Sequence, residues 1–229
     1  NNDITVSSAI TASNSGNGGD LTLKAGRSVL VNASITTDNG DLTLTANETT
    51  SNGVVDAERN SGAAVITLGA AIDTGTGAFT LTIAAGTGKS ERASGDITLS
   101  SVTAGSLVVA NNGPTSNSNI EDNGVLDIAG TSSFTTSENH STITLDQANE
   151  FTGAVSLNTI GSNGDVLVDN GTTALDIAAS TVGGDLTLIS GAAAGITDSG
   201  AVSVAGNLSA TTDANSGVIN MGTLEVNGT

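Results

Sequence analysis

A five-residue pattern recurs along this chain and limits what it can fold into: a turn glycine, a small or acidic residue, then apolar, polar, apolar. It reads Gly19-Asp20-Leu21-Thr22-Leu23 and returns twenty-one residues later as Gly40-Asp41-Leu42-Thr43-Leu44. Gly77-Ala78-Phe79-Thr80-Leu81 and Gly95-Asp96-Ile97-Thr98-Leu99 follow, eighteen residues apart. The second half carries Gly124 to Ile128, Gly153 to Leu157, Gly164 to Val168, Gly184 to Leu188, Gly200 to Val204 and Gly206 to Ala210. Alternation with a period of two marks short strands with one buried face. Shorter runs, Ser28 to Val31, Ser106 to Val109 and Leu175 to Ile177, supply further strands.

Short strands broken by Gly, Asn and Asp could form hairpins. The long period near twenty and the placing of the Asn-Gly pairs favour a solenoid. Asn39-Gly40, Asn52-Gly53, Asn123-Gly124, Asn163-Gly164 and Asn170-Gly171 are read as corner turns introducing the same half of each repeat, not as loops between mirror-image strands. No helical pattern of useful length occurs, which excludes a βαβ architecture. The expected fold is all-β: a right-handed parallel β-helix (β-solenoid) of about ten coils of roughly 20 residues, about 50 Å long. Leu21 should then lie over Leu42, and Leu23 over Leu44. Asp20 would stand near Asp41, a repulsive ladder unless solvated, hydrogen-bonded to turn amides or bridged by a cation.

The whole chain, 1–229, reads as a single solenoid domain and as a mature or excised piece of a longer protein. Three stretches leave the period, about 49–62, 84–94 and 110–123, and they hold Arg59, Lys89, Arg92 and Pro114. Excursions from solenoid coils are where specificity is often carried, so these loops are the candidate contact regions.

Composition fits a narrow aliphatic core. The chain has three Phe (Phe79, Phe134, Phe151), no Tyr and no Trp, so wide aromatic-filled cores are excluded. It has thirty Gly, and its single Pro leaves strand amides free to donate. Cysteine is absent, and no signal-peptide pattern opens the chain. Twenty-three acidic residues against five basic ones give a net charge of −18. Nucleic acid is excluded as a partner, because phosphate binding needs a Lys/Arg surface. Such acidity suits a soluble, self-repelling extracellular protein.

Two stretches carry a family resemblance. One is Ala148-Asn149-Glu150-Phe151-Thr152-Gly153-Ala154-Val155-Ser156-Leu157. The other runs from Thr173-Ala174-Leu175-Asp176-Ile177 through Ser180 to Leu188 and on to Ile196-Thr197-Asp198-Ser199-Gly200-Ala201-Val202-Ser203-Val204. Together they resemble the repeats of filamentous-haemagglutinin-like large exoproteins of Gram-negative bacteria, the two-partner-secreted adhesins. The resemblance is close over about 145 to 210 and looser over the earlier Gly-Asp-Leu-Thr-Leu coils. It implies a right-handed parallel β-helix, secretion through an outer-membrane pore, and a role in adhesion, aggregation or toxin delivery at the cell surface. Such repeats are scaffold and bring no ligand-binding residues with them.

Catalytic chemistry is not visible, and the chain is read as not an enzyme. Polysaccharide-cleaving β-helices need clustered carboxylates or a cationic base, with aromatic platforms for sugar rings. His140 is the single histidine and has no second His or Cys to share a metal. No catalytic, cofactor-binding or metal residues are assigned; incidental calcium at Asp-rich turns is the one cofactor entertained. Sequons at Asn32, Asn47, Asn139, Asn170, Asn207 and Asn227 are expected by chance in so Asn-rich a chain. Thr43-Leu44-Thr45 and Thr80-Leu81-Thr82 suggest an ice-binding array, but the motif does not recur at one coil position. The leading expectation is an adhesive rod of a secreted bacterial surface protein. It would meet receptors or glycans of a host or neighbouring cell. The alternative is a filament subunit that self-associates end to end.

Overall fold

A computed structural model of the chain describes residues 2–12, 18–48, 54–55, 58–85, 93–212 and 215–228. The chain winds into nine stacked coils, close to the expected ten, and every strand pairing is parallel. Face A stacks one strand per coil: Ile4–Val6, Val29–Val31, Ala64–Leu68, Ser94–Leu99, Ile120–Asp122, Ile143–Leu145, Val166–Asp169, Leu186–Ser190 and Leu208–Thr212. Face B runs through the first six coils: Ile10–Thr11, Ile35–Thr36, Ile72–Asp73, Val102–Ala104, Leu126–Ile128 and Glu150–Phe151. Face C closes each of those coils: Leu21–Lys24, Leu42–Ala46, Ala78–Ile83, Ser106–Asn111, Ser132–Thr136 and Val155–Asn158. Among the described residues there is no α-helix.

Above the sixth coil the cross-section changes. Coils 7 to 9 follow face A with Leu175–Ile177 and Ser180–Val182, then Ile196–Asp198 and Val202–Val204, then Ile219–Asn220 and Leu224–Val226. Val155 pairs with Ile177 and Asn158 with Thr181, so coil 7 carries one extra residue across that span. Both of its strands therefore stack on the one face-C strand beneath them. The insertion works as a bulge that bends the sheet.

Inside, equivalent side chains stack in columns. Face A places Ile4, Val29, Ile66, Ile97, Ile120, Ile143, Val166, Leu186 and Leu208 in one file. Leu21 lies over Leu42 and Leu23 over Leu44, as the repeat predicts. These files continue to Phe79 and Leu81, then to Leu107 and Val109. From Leu42 to Val204 this core is almost fully enclosed. At about 0.8 kcal/mol per buried CH₂, such columns are the main source of stability. Phe134 and Phe151 meet edge to face with centroids 5.8 Å apart, joining face C of coil 5 to face B of coil 6.

The Gly-x-apolar-polar-apolar motif does not mark one place in the coil, and this corrects the reading of the Asn-Gly turns. Gly40 leads into face C, Gly124 into face B and Gly164 into face A. All three corners need tight turns followed by alternating strands, so one local signal serves all three. Coil length is likewise broader than the period suggests, from 20 residues between Val166 and Leu186 to 25 between Ile4 and Val29. The excursions lengthen two coils: Val29 pairs with Ile66, and Ile66 with Ile97. Within 110–123, face C runs to Asn111 and face A occupies Ile120–Asp122, so only 112–119 and Asn123 lie outside strands. Residues 49–53, 56–57 and 86–92, with Lys89 and Arg92, lie outside the described residues.

Candidate interaction surfaces and buried polar ladders

Outward side chains also form files, and the faces differ in charge. Face B presents Thr11, Thr36, Asp73, Thr103, Asp127 and Glu150 in register, an acidic ribbon in its later coils. Face C presents Thr22, Thr43, Thr80, Val108, Ser133 and Ser156 in one file. Its second file runs Lys24, Thr45, Thr82, Ala110, Thr135, Asn158, Thr181, Ser203 and Glu225, with seven uncharged residues between the ends. On a chain of net charge −18 this is a neutral strip of small side chains. Thr43 and Thr45 stand directly on Thr80 and Thr82, but Val108 and Ala110 interrupt the array in coil 4.

The described basic residues gather at the corner between faces C and A in the first coils. Arg27 Nε donates to Asp3 Oδ1 at 2.7 Å, and its Nη2 contacts Asp3 Oδ2. The hydrogen-bonded Arg27 guanidinium holds the Asp3 carboxyl below its ordinary value. Arg59 donates from Nε to Gly26 O at 2.8 Å and from Nη2 to Asn47 Oδ1 at 3.0 Å. Burial pushes its guanidinium value down. Asn47 in turn donates to Ala84 O at 2.8 Å, and Arg27 Nη1 to Ser61 O at 2.7 Å. Arg59 and Ser61 of the first excursion are thus tied to the rod, with Arg59 directed at backbone and amide oxygens of the rod itself.

Polar side chains also point inward at the corners. Ser94 and Thr115 exchange hydrogen bonds: Ser94 N to Thr115 Oγ1 at 3.0 Å, and Thr115 N to Ser94 Oγ at 3.1 Å. Ser118 joins them, its Oγ 3.1 Å from Ser94 Oγ. Pro114 sits in this corner, where the 112–119 segment is tied to the coil below. At the A–B corner a second ladder climbs through Asp122, Asn149, Asn170 and Ser190, all buried. Asn149 Nδ2 donates to Asp122 Oδ2 at 2.8 Å, while its Oδ1 accepts Leu126 N at 2.8 Å. Asn170 Oδ1 accepts Phe151 N at 2.7 Å, and its Nδ2 reaches Ala174 O at 2.9 Å. Burial pushes the Asp122 carboxyl up to about 6, against the hydrogen bonds that favour its charge.

The ladder was hidden because Asn170-Gly171 reads as a turn, whereas here the Asn side chain is the structural element. The spacing of Asn149 and Asn170, one coil apart, is the signal that could have exposed it. Two of the sequons, Asn47 and Asn170, have fully buried side chains, which rules them out as glycan acceptors in the folded rod. His140 lies exposed in a turn with φ +60°. A shallow depression on face A is lined by Thr142, Thr144, Asp165, Leu167, Asp185 and Thr187. Among the described residues no group of three or more His, Cys, Asp or Glu is placed to hold a metal ion.

Parallel coils, a closed aliphatic core and polar corner ladders define an elongated β-solenoid repeat protein, a rod built from its own stacking. The chain belongs to the family described as Repeats of unknown function (DUF5649), which it matches over residues 86–158 and 163–223. Searches of the curated proteins and of the solved structures find no match.

Proposed function

We propose that this chain is a structural and adhesive rod of a secreted protein on the surface of a Gram-negative bacterium. It would mediate adhesion or aggregation through receptors or glycans of a host or neighbouring cell, after export through an outer-membrane pore. One observation carries the reading: nine coils form a continuous core that needs no partner along its length, while the outer faces are sorted into an acidic ribbon and a neutral strip. A stalk needs length, self-sufficiency and faces that can touch without merging. The resemblance to filamentous-haemagglutinin-like repeats supports the setting. The test is display of the chain on a non-adherent Gram-negative host, scored for adhesion to epithelial cells and for autoaggregation. A host that stays dispersed and non-adherent with the rod on its surface would sink the proposal.

In this reading the chain is not an enzyme, an expectation that rests on its single His and its lack of Tyr and Trp. Release of reducing ends from any of a panel of bacterial and host polysaccharides would overturn it.

A second reading is a filament subunit, in which coils of one chain stack on those of the next through the same parallel pairing that joins coils within it. Sedimentation of the chain from low to high concentration decides it, since a monomer throughout removes the filament.

A further inference from the structure

The coils hold the described Asn-Gly pairs in different ways. At four of them the glycine N–H is already donated. Gly40 N donates to Thr37 O at 3.2 Å, Gly164 N to Gly161 O at 3.0 Å, Gly171 N to Asp169 Oδ1 at 2.8 Å and Gly113 N to Asn111 Oδ1 at 3.4 Å. The asparagines of these pairs are held as well. Asn39 Oδ1 accepts Thr76 N at 2.9 Å, Asn112 Oδ1 accepts Ser137 Oγ at 2.9 Å, Asn163 Oδ1 accepts Ser162 Oγ at 3.1 Å, and Asn170 is buried. Asn123-Gly124, at the A–B corner of coil 5, differs from all four. Asn123 is exposed, and among the described residues neither its side chain nor the Gly124 N–H has a hydrogen-bond partner. Asn227-Gly228 is intermediate: its glycine N–H is free, but Asn227 Nδ2 donates to Glu225 Oε1 at 3.3 Å.

We propose that Asn123-Gly124 is a self-modification site, where the folded rod deamidates selectively. The Gly124 N–H gives its proton to solvent base, and its nitrogen bonds to Asn123 Cγ. The Cγ–Nδ2 bond then breaks, and ammonia leaves. Water opens the five-membered imide at either carbonyl, which yields aspartate or the isomer whose main chain runs through the former side chain. A hydrogen bond from the glycine N–H to an oxygen favours the N–H over its anion, and so slows the first step at the other pairs.

The packing keeps this reactive pair in place. A Cβ on Gly124 would stand 2.5 Å from Ser101 N of coil 4, so no larger residue fits there without moving backbone. The pair also lies between two bonds that join coil 5 to coil 4, Asn123 N to Leu99 O at 2.8 Å and Val102 N to Val125 O at 3.1 Å. The isomer inserts a methylene into the main chain between those bonds. Both cannot keep their geometry, so modification loosens coil 5 from coil 4 at this corner.

The test is incubation of the folded chain at mildly alkaline pH, with peptide mapping by mass spectrometry and fragmentation that distinguishes aspartate from its isomer. A parallel incubation in urea gives the unfolded reference. In the fold, Asn123 should convert about tenfold or more faster than Asn39, Asn112, Asn163 and Asn170, with Asn227 between them. In urea the six rates should converge, because no partner is left. Aged protein should also exchange the Asn123 and Val102 amides faster than fresh protein, while Leu186 and Leu188 hold. An intact Asn123, a faster conversion at any of the other five, or the same ranking in urea as in the fold would each overturn the proposal.

Discussion

Asp41 donates its backbone N–H to Asp20 Oδ1 across 3.0 Å, from one coil to the one before it. The same bond recurs up the rod. Ala78 N reaches Asp41 Oδ1 at 2.8 Å, Asn119 N reaches Asp96 Oδ1 at 2.7 Å, and Asp185 N reaches Asp165 Oδ1 at 2.8 Å. Asn207 N closes on Asp185 at 2.7 Å, and Gly222 N on Asp198 at 2.7 Å. In each case the carboxylate belongs to the earlier coil and the amide to the later one. Corner amides have no strand partner, and the acids stacked there supply one. Of the three ways to relieve an Asp20–Asp41 ladder, the rod uses the amide.

The bond depends on the oxygen more than on the charge. Asp41→Asn keeps an acceptor for Ala78 N and should leave stability within about 0.5 kcal/mol, since it also removes repulsion from Asp20. Asp41→Ala removes the acceptor and should cost about 1 kcal/mol, or about 2 to 4 °C in melting temperature. Thermal unfolding of the two variants side by side reads this directly; equal losses would mean that charge, not the amide bond, holds the corner.

Glycine spacing sets how closely coils approach at the B–C corner. A Cβ on Gly40 would stand 2.5 Å from Gly19 O, and one on Gly130, Gly77 or Gly153 would meet the backbone of the glycine one coil earlier. Gly77→Ala must therefore push two coils apart, and a loss of about 2 to 3 kcal/mol is expected in urea unfolding. Gly222 is the control, with nothing within 4 Å of its added Cβ. Gly222→Ala should change stability by less than about 1 kcal/mol and in the stabilising direction.

The parts of this fold legible in the sequence were those set by local alternation. Leu21, Leu23, Leu42 and Leu44 announce their columns because every second residue must face one core. What stayed hidden depends on the third dimension. Gly40, Gly124 and Gly164 look alike locally yet open three different faces. The strand Ile120–Asp122 carries one aliphatic and two acids, so its pattern reads as loop, although Ile120 sits in the face-A file. Asn170 reads as a turn residue until stacking turns it inward. The charge sorting of faces B and C was out of reach for the same reason, since it needs each strand assigned to its face.

Among the described residues, one buried hydroxyl lacks a partner. Ser132 Oγ sits in the face-C file between Leu107 and Val155, enclosed and without a hydrogen bond. An unpaired hydroxyl in an apolar column costs about 1 kcal/mol or more. Ser132→Ala should therefore raise stability by about 1 kcal/mol, seen as a higher urea midpoint at unchanged slope. A lower midpoint would show that the hydroxyl is satisfied in solution.

The pH profile of stability should peak in mild acid, because two sets of carboxyls pull in opposite directions. Asp3, held by Arg27, and Asp198, held by the Thr223 hydroxyl, have folded values below the unfolded one. Their contribution is present above the unfolded value near 4 and disappears as pH falls through the folded values. Asp122 runs the other way: its folded value of about 6 means stability falls as pH rises from about 4 to about 6, by about 2 to 3 kcal/mol in all. The first trend is complete and the second begins near pH 4, where the maximum should lie. Urea midpoints measured from pH 3 to pH 8 would show it, and Asp3→Asn should flatten the acid limb while leaving the limb above pH 4 in place. A midpoint that rises steadily from pH 4 to pH 8 would mean that Asp122 ionises without cost, and that its buried place in the Leu99 file is bridged by something more than the Asn149 amide.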